Sequence, residues 1–539
     1  MYVEEIKNKQ KNKTYITVLI RETYRKAGKV LHRTLANISK LPKPTIEQIK
    51  KIITKEKIYS LDTKSIKIEN DREYGAVYTF FKMIKNLGLE QTIYSRGEAW
   101  RNDVIAMIIG RIVYQGSKLS LVNLYETSAL WELVGHVAGV RPDVEKHCYE
   151  TMDKLLERQP AIQKALAKKH LEDGCMILYD ITSSYVEGDY ENSEIVAYGY
   201  NRDKKRGHEQ IVIGLLTNKE GCPVAIEVFK GNTPDQTTVL GQAKKLAQEY
   251  GVKSVVFAGD RGMLTPKRIE EVTELGYKTL TALTHPQIRN LLEKEVIQLG
   301  LFDENNLAEV IDPEKPGIRY VLCKNPSNAK QETETRKAII SKTQEALEKL
   351  RISKKKRTIE ELSANVGKTL AKYRTGKYFA WEIKSNILQY SVLEEIVQEE
   401  ENLDGCYIIR TDVSKEELKT KEVRESYKQL AQVEKAFRNL KTVSLELRPL
   451  YHHNDERIKA HVFLCMLAYY IQWHMTKKLQ PLYEEDGKGK KREYSLAIVM
   501  EQLKAIRKKT IIIENIPLEI ISTPSVNQQK ILDLLEITL

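Results

Sequence analysis

The chain has 539 residues, too many for one small core, and the length fits about three or four structural units, some of them insertions. Hydrophobic residues are 41% and charged residues 30%, and 87 Lys and Arg against 74 Asp and Glu leave a net charge of +13. That balance points to a soluble globular protein meeting a polyanion, nucleic acid first, while six widely spaced cysteines with no C-x-x-C argue against a disulfide framework and structural zinc.

"MYVEEIKNKQ" has no apolar leader segment, and the densest apolar helical run, "VIAMIIGRIVY" at 104–114, is short and carries Arg111. Neither secretion nor membrane spanning is expected, which leaves the cytoplasm. Residues 14–39, "TYITVLIRETYRKAGKVLHRTLANIS", hold two β-rich runs around "RKAGK" and read as a hairpin bearing Arg21, Arg25, Lys26, Lys29 and Arg33. From about 72 to 171 the pattern is helical, with "YGAVYTFFKMIKNLGL" and "NDVIAMIIGRIVYQG" each ended by glycine. Packing explains this region at least as well as DNA contact does.

At 174 the period changes. "CMILYDITSSY" is a short apolar run that meets Asp180; "HEQIVIGLLTN" and "CPVAIEVFKGN" flank the turn "KEG"; "DQTTVLGQAKKLAQEYG" is helical; "KSVVFAGDRGM" runs into Asp260; "TPKRIEEVTELGY" is helical and "KTLTALT" strand-like. The order β-β-β-α-β-α-β is, by analogy, that of an α/β ribonuclease H-like core with a mixed sheet.

Residues 285–403 interrupt that pattern with charged helical segments, including "SKKKR", before β-type signal resumes in "YFAWEI" and "DGCYIIRTDV". From about 455, "ERIKAHVFLCMLAYYIQWHM" is helical, "EEDGKGKKRE" is a loop, and helical and strand-like pieces close the chain. The expected division is a basic N-terminal hairpin region at 1–71, a helical DNA-binding region at 72–171, a core at 172–284 and 404–475 split by an insertion at 285–403, and a mainly helical C-terminal region at 476–539.

Asp180 and Asp260 each stand where a mostly apolar strand is expected to end, the edge at which α/β sheets place ligands. Either one alone reads first as a turn or helix-capping residue. Together, on strands expected to be neighbours, they are two like charges that a divalent cation would reconcile. A third oxygen donor is available in "YKQLAQVEKAFRNLK" (427–441), where Leu430, Val433, Phe437 and Leu440 mark a buried helical face. Glu434 borders that face, and Tyr427, Glu434 and Lys441 are spaced by seven and seven along one edge. The plain alternative is a surface pair of Glu434 with Arg438 at i+4.

That stretch resembles the third-acid signature of bacterial insertion-sequence transposases of the DDE type, Y-x2-R-x3-E-x6-K, with Tyr427, Glu434 and Lys441 in register and Leu430 at the Arg position. "YGYNRDKKRGHEQIVIGLL", "VFKGNTPDQTT", "FAGDRGM" and "RPLYHHNDERIKAHVFLC" resemble further blocks of the family, over about 72–475. The resemblance implies that Asp180, Asp260 and Glu434 hold two Mg²⁺ ions, with Mn²⁺ able to substitute, for in-line phosphoryl transfer. It implies double-stranded DNA partners, the terminal inverted repeats and a target, bound by a homodimer and not a membrane, in a bacterial cytoplasm at the nucleoid. Tyr427 and Lys441 are candidate phosphate contacts, with Lys428, Arg438 and Arg261 beside them.

Related transposases carry a largely β insertion between the second and third acids, with an aromatic that holds a flipped base. Trp381 lies in that interval and reads either as such a platform or as a core residue. His452 and His453 read as phosphate or structural contacts rather than metal ligands. Two other functions stay open: a metal-dependent nuclease of the same fold that joins no ends, and a transposase-derived DNA-binding protein without catalysis.

Overall fold

The computed structural model describes residues 1–10, 13–26, 29–54, 66–202, 205, 207–303, 307–353, 355, 357–443, 445–486, 494–513 and 516–539. The tip of the expected N-terminal turn (27–28), two positions of "SKKKR" and most of the loop "EEDGKGKKRE" lie outside them.

The expected hairpin is β2 (Lys13–Lys26) and β3 (Lys29–Asn37), and β1 (Tyr2–Gln10) adds a third antiparallel strand that was not anticipated. The helix Lys43–Ile53 closes one face of this sheet, burying Ile46 and Ile49 with Val18, Ile38 and Leu41. Strand β4 (Ile66–Glu73) then leads into helices at Gly75–Asn86, Ala99–Val113 and Glu150–His170, as the periodicity of 72–171 predicts.

"VIAMIIGRIV" shows little amphipathic pattern because every residue from Asp103 to Val113 is buried, packed against an equally buried central helix, Asp455–Lys478. Among the described residues no single helix is long and apolar enough to cross a membrane; one pair bent by 105°, Ala99–Val113 with Lys118–Tyr125, passes that test by length and composition only.

The central sheet has eight strands. β5 (Cys175–Tyr185), β6 (Gln210–Asn218) and β7 (Pro223–Lys230) run antiparallel in sequence. Helix Asp235–Gln248 then crosses to β8 (Val255–Ala258), parallel to β5, and helix Pro266–Glu274 crosses to β9 (Lys278–Ala282), parallel to β8. The resulting order β7-β6-β5-β8-β9 is the ribonuclease H-like arrangement.

The sheet continues past β9. Strands β10 (Ala308–Ile311) and β11 (Arg319–Lys324) join through β14 (Cys406–Thr411), which is antiparallel to β9. Two strands of the interval 285–403 are thus part of the core sheet. The rest of it is mostly helical, Pro326–Arg351 and Ile359–Tyr373 with one hairpin of β12 (Phe379–Lys384) and β13 (Ile387–Val392), unlike the largely β insertion the resemblance implies. Its run of Ala, Glu, Lys and Gln has the composition of a helix former. At the C-terminal end, β15 (Arg507–Ile513) pairs with β16 (Ile516–Ile521) and with β4, tying the start of the helical region to the end of the chain.

Candidate active site

Asp180 does not end its strand. It sits in the middle of β5, because β6 pairs with β5 from Ile177 to Tyr185 while β8 stops at Ala258, opposite Leu178. Extending that parallel register by two residues sets Asp180 opposite Asp260, at the point where the two strands separate. The side of Asp180 facing β8 is therefore open, which is how a carboxylate is accommodated in an otherwise buried strand.

Glu434 reaches the same place from the helix Leu430–Arg438, which packs on β5 and β6 through Val433, Ala436 and Phe437. Close approach is set by Gly221 in the β6–β7 turn: it has φ +84°, and a Cβ there would lie 2.9 Å from Gln432 Cβ. The stretch 427–441 is not one helix. It is divided at Gln429, between Thr420–Lys428 and Leu430–Arg438, and ends in a π-helical turn, Asn439–Val443.

Asp180, Asp260 and Glu434 line one cavity of about 580 Å³, together with Arg261, Tyr427, Lys428 and Leu430. Asp180 is half-buried, and Asp260 and Glu434 are exposed at its mouth. Burial pushes the Asp180 carboxyl up to about 7, with the charges of Asp260 and Glu434 adding to it, against the Ile181 backbone N–H and the more distant Arg202. Burial likewise holds the Tyr427 phenol up at about 12, so it stays a hydrogen-bond donor.

Asp260 Oδ1 accepts the Arg261 backbone N–H at 2.8 Å. Among the described residues no lysine or arginine forms an ion pair with any of the three acids, and Arg202 pairs with Asp235 instead. Among the described residues, the sets of potential ligands within 4.8 Å of one another lie elsewhere, so the three carboxylates share a cavity without all lying within that distance.

Other sequence candidates are placed differently. Lys441, on the π-helical turn, is 8% exposed and does not line the cavity; neither does Arg438. Trp381 is 37% exposed on β12, opposite Tyr390, so it is not a core residue, and it too is away from the carboxylates. His452 makes ring contacts with Tyr149 and His461, and His453 stacks on Tyr190.

The cavity also has a wall that the sequence did not reveal. His285 opens the helix after β9, and Asn325, Asn328 and Glu332 come from the start of helix Pro326–Arg351. Glu332 Oε2 accepts the Gly405 N–H at 2.8 Å, and Asn325 caps the helix through the N–H groups of Ser327 and Asn328. No motif marks these residues, since only the fold brings them to Asp180.

A ribonuclease H-like sheet with three acids gathered beside its central strand defines a nucleic-acid phosphoryl-transfer class of protein. The family model "Transposase DDE domain" matches residues 173–471, more than half of the chain, and "IS1634 family transposase, N-terminal domain" matches residues 3–62. The chain belongs to the DDE transposases of insertion sequences, enzymes that cut and join DNA.

No curated protein matches the chain. Among solved structures it is similar to the piggyBac transposase synaptic complex with hairpin DNA, at 9% identity and TM-score 0.37 over 80% of each chain. It is also similar to the Mos1 transposase paired-end complex with left transposon end, at 14% identity and TM-score 0.14, over 30% of this chain and 53% of that one.

Proposed function

We propose that Asp180, Asp260 and Glu434 are the catalytic acids, and that the protein cleaves the terminal inverted repeats of its own element and joins the freed ends to target DNA. The observation that carries this reading is the convergence of these acids, from β5, the end of β8 and the Leu430–Arg438 helix, on one open cavity with no cation paired to them among the described residues. The donor set is weighted toward hard divalent ions: four carboxylates, counting Glu332, with the amide side chains of Asn325 and Asn328 nearby, against one imidazole, His285, and one thiol, Cys406, whose Sγ–H is directed at the Asn402 carbonyl. Two Mg²⁺ ions, or Mn²⁺ in their place, would be held by the three acids and would supply the charge that activates the attacking oxygen and stabilises the leaving one.

The remaining work belongs to the chain. Tyr427 donates its hydroxyl to a backbone phosphate, and Lys428 and Arg261 contribute positive charge at the same wall. Leu430, where the Y-x2-R-x3-E-x6-K motif has arginine, leaves an apolar patch between them, so Lys428 and Arg261 replace its charge rather than Arg438. End recognition falls to the N-terminal sheet and helical region. There Arg21 and Arg33 are already ion-paired with Glu4 and Glu22, which leaves exposed Arg25, Lys26 and Lys29 at the β2–β3 tip for phosphates. Pairing two ends before joining calls for a homodimer.

The test is cleavage and strand transfer on terminal inverted repeat duplexes with Mg²⁺ or Mn²⁺, comparing wild type with Asp180→Asn, Asp260→Asn and Glu434→Gln. Loss of both steps in each variant supports the assignment. Cleavage without joining in the wild type would instead make the protein a nuclease of the same fold.

A further inference from the structure

Outside the carboxylate cavity, three residues far apart in sequence bring soft and borderline donors together. His170 ends the helix Glu150–His170, Cys222 follows the β6–β7 turn, and His474 lies in the central helix Asp455–Lys478; one ligand atom from each lies within 4.8 Å of the others. We propose that His170, Cys222 and His474 form a zinc-class metal site that ties the helical region, the β6–β7 hairpin and the central helix together.

Three observations support it. The Nε2 atom of His474 is buried and has no hydrogen-bond partner among the described residues, an expensive state for an imidazole nitrogen unless a ligand meets it. The Tyr470 hydroxyl lies 2.9 Å from His170 Nε2, the outer contact that orients a ligating imidazole and leaves its other nitrogen available. Cys222 is a buried, unoxidised thiol, and its proton would pass to solvent on binding. Tetrahedral zinc, with bonds of about 2.0–2.1 Å to nitrogen and 2.3 Å to sulfur, sets donors about 3.3–3.6 Å apart, so the cluster has to close by roughly 1 Å.

The other such cluster among the described residues shows why this one is distinctive. Asp103, His136 and His147 also lie within 4.8 Å, but there His136 Nε2 is bonded to Asp103 at 2.6 Å and His147 Nδ1 is engaged by the Asp143 backbone. That group satisfies itself. Around His170 the nearby charges are Lys169 and Lys477, the latter ion-paired with Glu220 at 2.5 Å, so the thiolate supplies the negative charge the ion needs. Two nitrogens and one sulfur select zinc over magnesium, which separates this site chemically from the three carboxylates. Sequence spacing could not reveal it, because the ligands come from three distant segments.

The experiment is a Co²⁺ titration of the full-length, reduced protein carrying Asp180→Asn, Asp260→Asn and Glu434→Gln, followed by absorption spectroscopy. One equivalent of Co²⁺ giving a thiolate-to-metal charge-transfer band and tetrahedral d–d bands, all displaced by Zn²⁺, is the expected result. Three carboxylates cannot produce a thiolate band, so the readout is independent of activity. His474→Gln should weaken binding by at least about tenfold with the circular dichroism unchanged. No charge-transfer band in the parent protein, or a band that survives Cys222→Ser, would overturn the proposal.

Discussion

Two clusters of like charge flank the segment that carries Glu434, and they are resolved in opposite ways. In the open cavity, Asp180, Asp260 and Glu434 have no cationic partner among the described residues, and their mutual repulsion helps push Asp180 up to about 7. Behind the segment, the cations Arg111 and Lys118 are buried beside His452 and the central helix's own His461, two imidazoles that burial keeps neutral, and neither cation has an ion-paired carboxylate among the described residues. There the protein satisfies its own cations. Arg111 donates to the Gln115 carbonyl at 2.9 Å and to the Leu445 carbonyl at 3.4 Å, and Lys118 Nζ lies 3.4 Å from His461 Nδ1. Burial, with Arg111 adding to it, lowers the Lys118 ammonium to about 8. Charges left open await a ligand, whereas charges that are buried and bonded hold a scaffold.

The contrast is broken most strongly at the cavity. Asp180→Asn should lower end cleavage by on the order of 10³-fold, the scale of losing a preorganised electrostatic contact to the transition state. Thermal unfolding of the same variant should show no loss of stability, because the substitution removes a repelled charge.

In the cation cluster the effect should appear as stability. Lys118 binds its proton less tightly when folded than its ordinary value of 10.5, so wild-type stability should rise as pH increases from about 8 to 10.5. Lys118→Met should therefore stabilise the protein by up to about 3 kcal/mol at pH 7, an advantage that fades across that window in urea unfolding. Arg111→Met should have the opposite sign, costing about 2 kcal/mol by leaving the Leu445 carbonyl without its donor.

The smallest effect is expected at Leu430, on the cavity wall. Leu430→Arg should tighten binding to end DNA by up to about tenfold, the worth of one added hydrogen bond, and steepen the salt dependence by about one unit. Unchanged affinity and slope in a salt titration would show that Lys428 and Arg261 already occupy that phosphate.

Much of this was legible in the sequence, for identifiable reasons. The β-β-β-α-β-α-β order reads directly from alternating and continuous apolar runs, and of the expected face Leu430, Val433, Phe437 and Leu440 the last three are buried and dock the segment, while Leu430 is only half-buried, on the cavity wall. The position of Asp180 was misread as a strand end, because unequal partner lengths on the two sides of β5 leave no trace in β5 itself. The stripe through Tyr427, Glu434 and Lys441 assumed an unbroken helix, and the division at Gln429 with the π-helical turn after Arg438 moves Lys441 into a buried position. Pairings such as β4 with β15, and the approach of Asn325, Asn328 and Glu332 to the acids, depend on tertiary contacts that no local pattern encodes.

The most direct measurement of the central claim is anomalous diffraction from crystals of the protein bound to end DNA and soaked in Mn²⁺. The account predicts manganese peaks ligated by Asp180, Asp260 and Glu434, and weakened in Glu434→Gln crystals. Manganese bound elsewhere, with these three carboxylates left without metal, would contradict it.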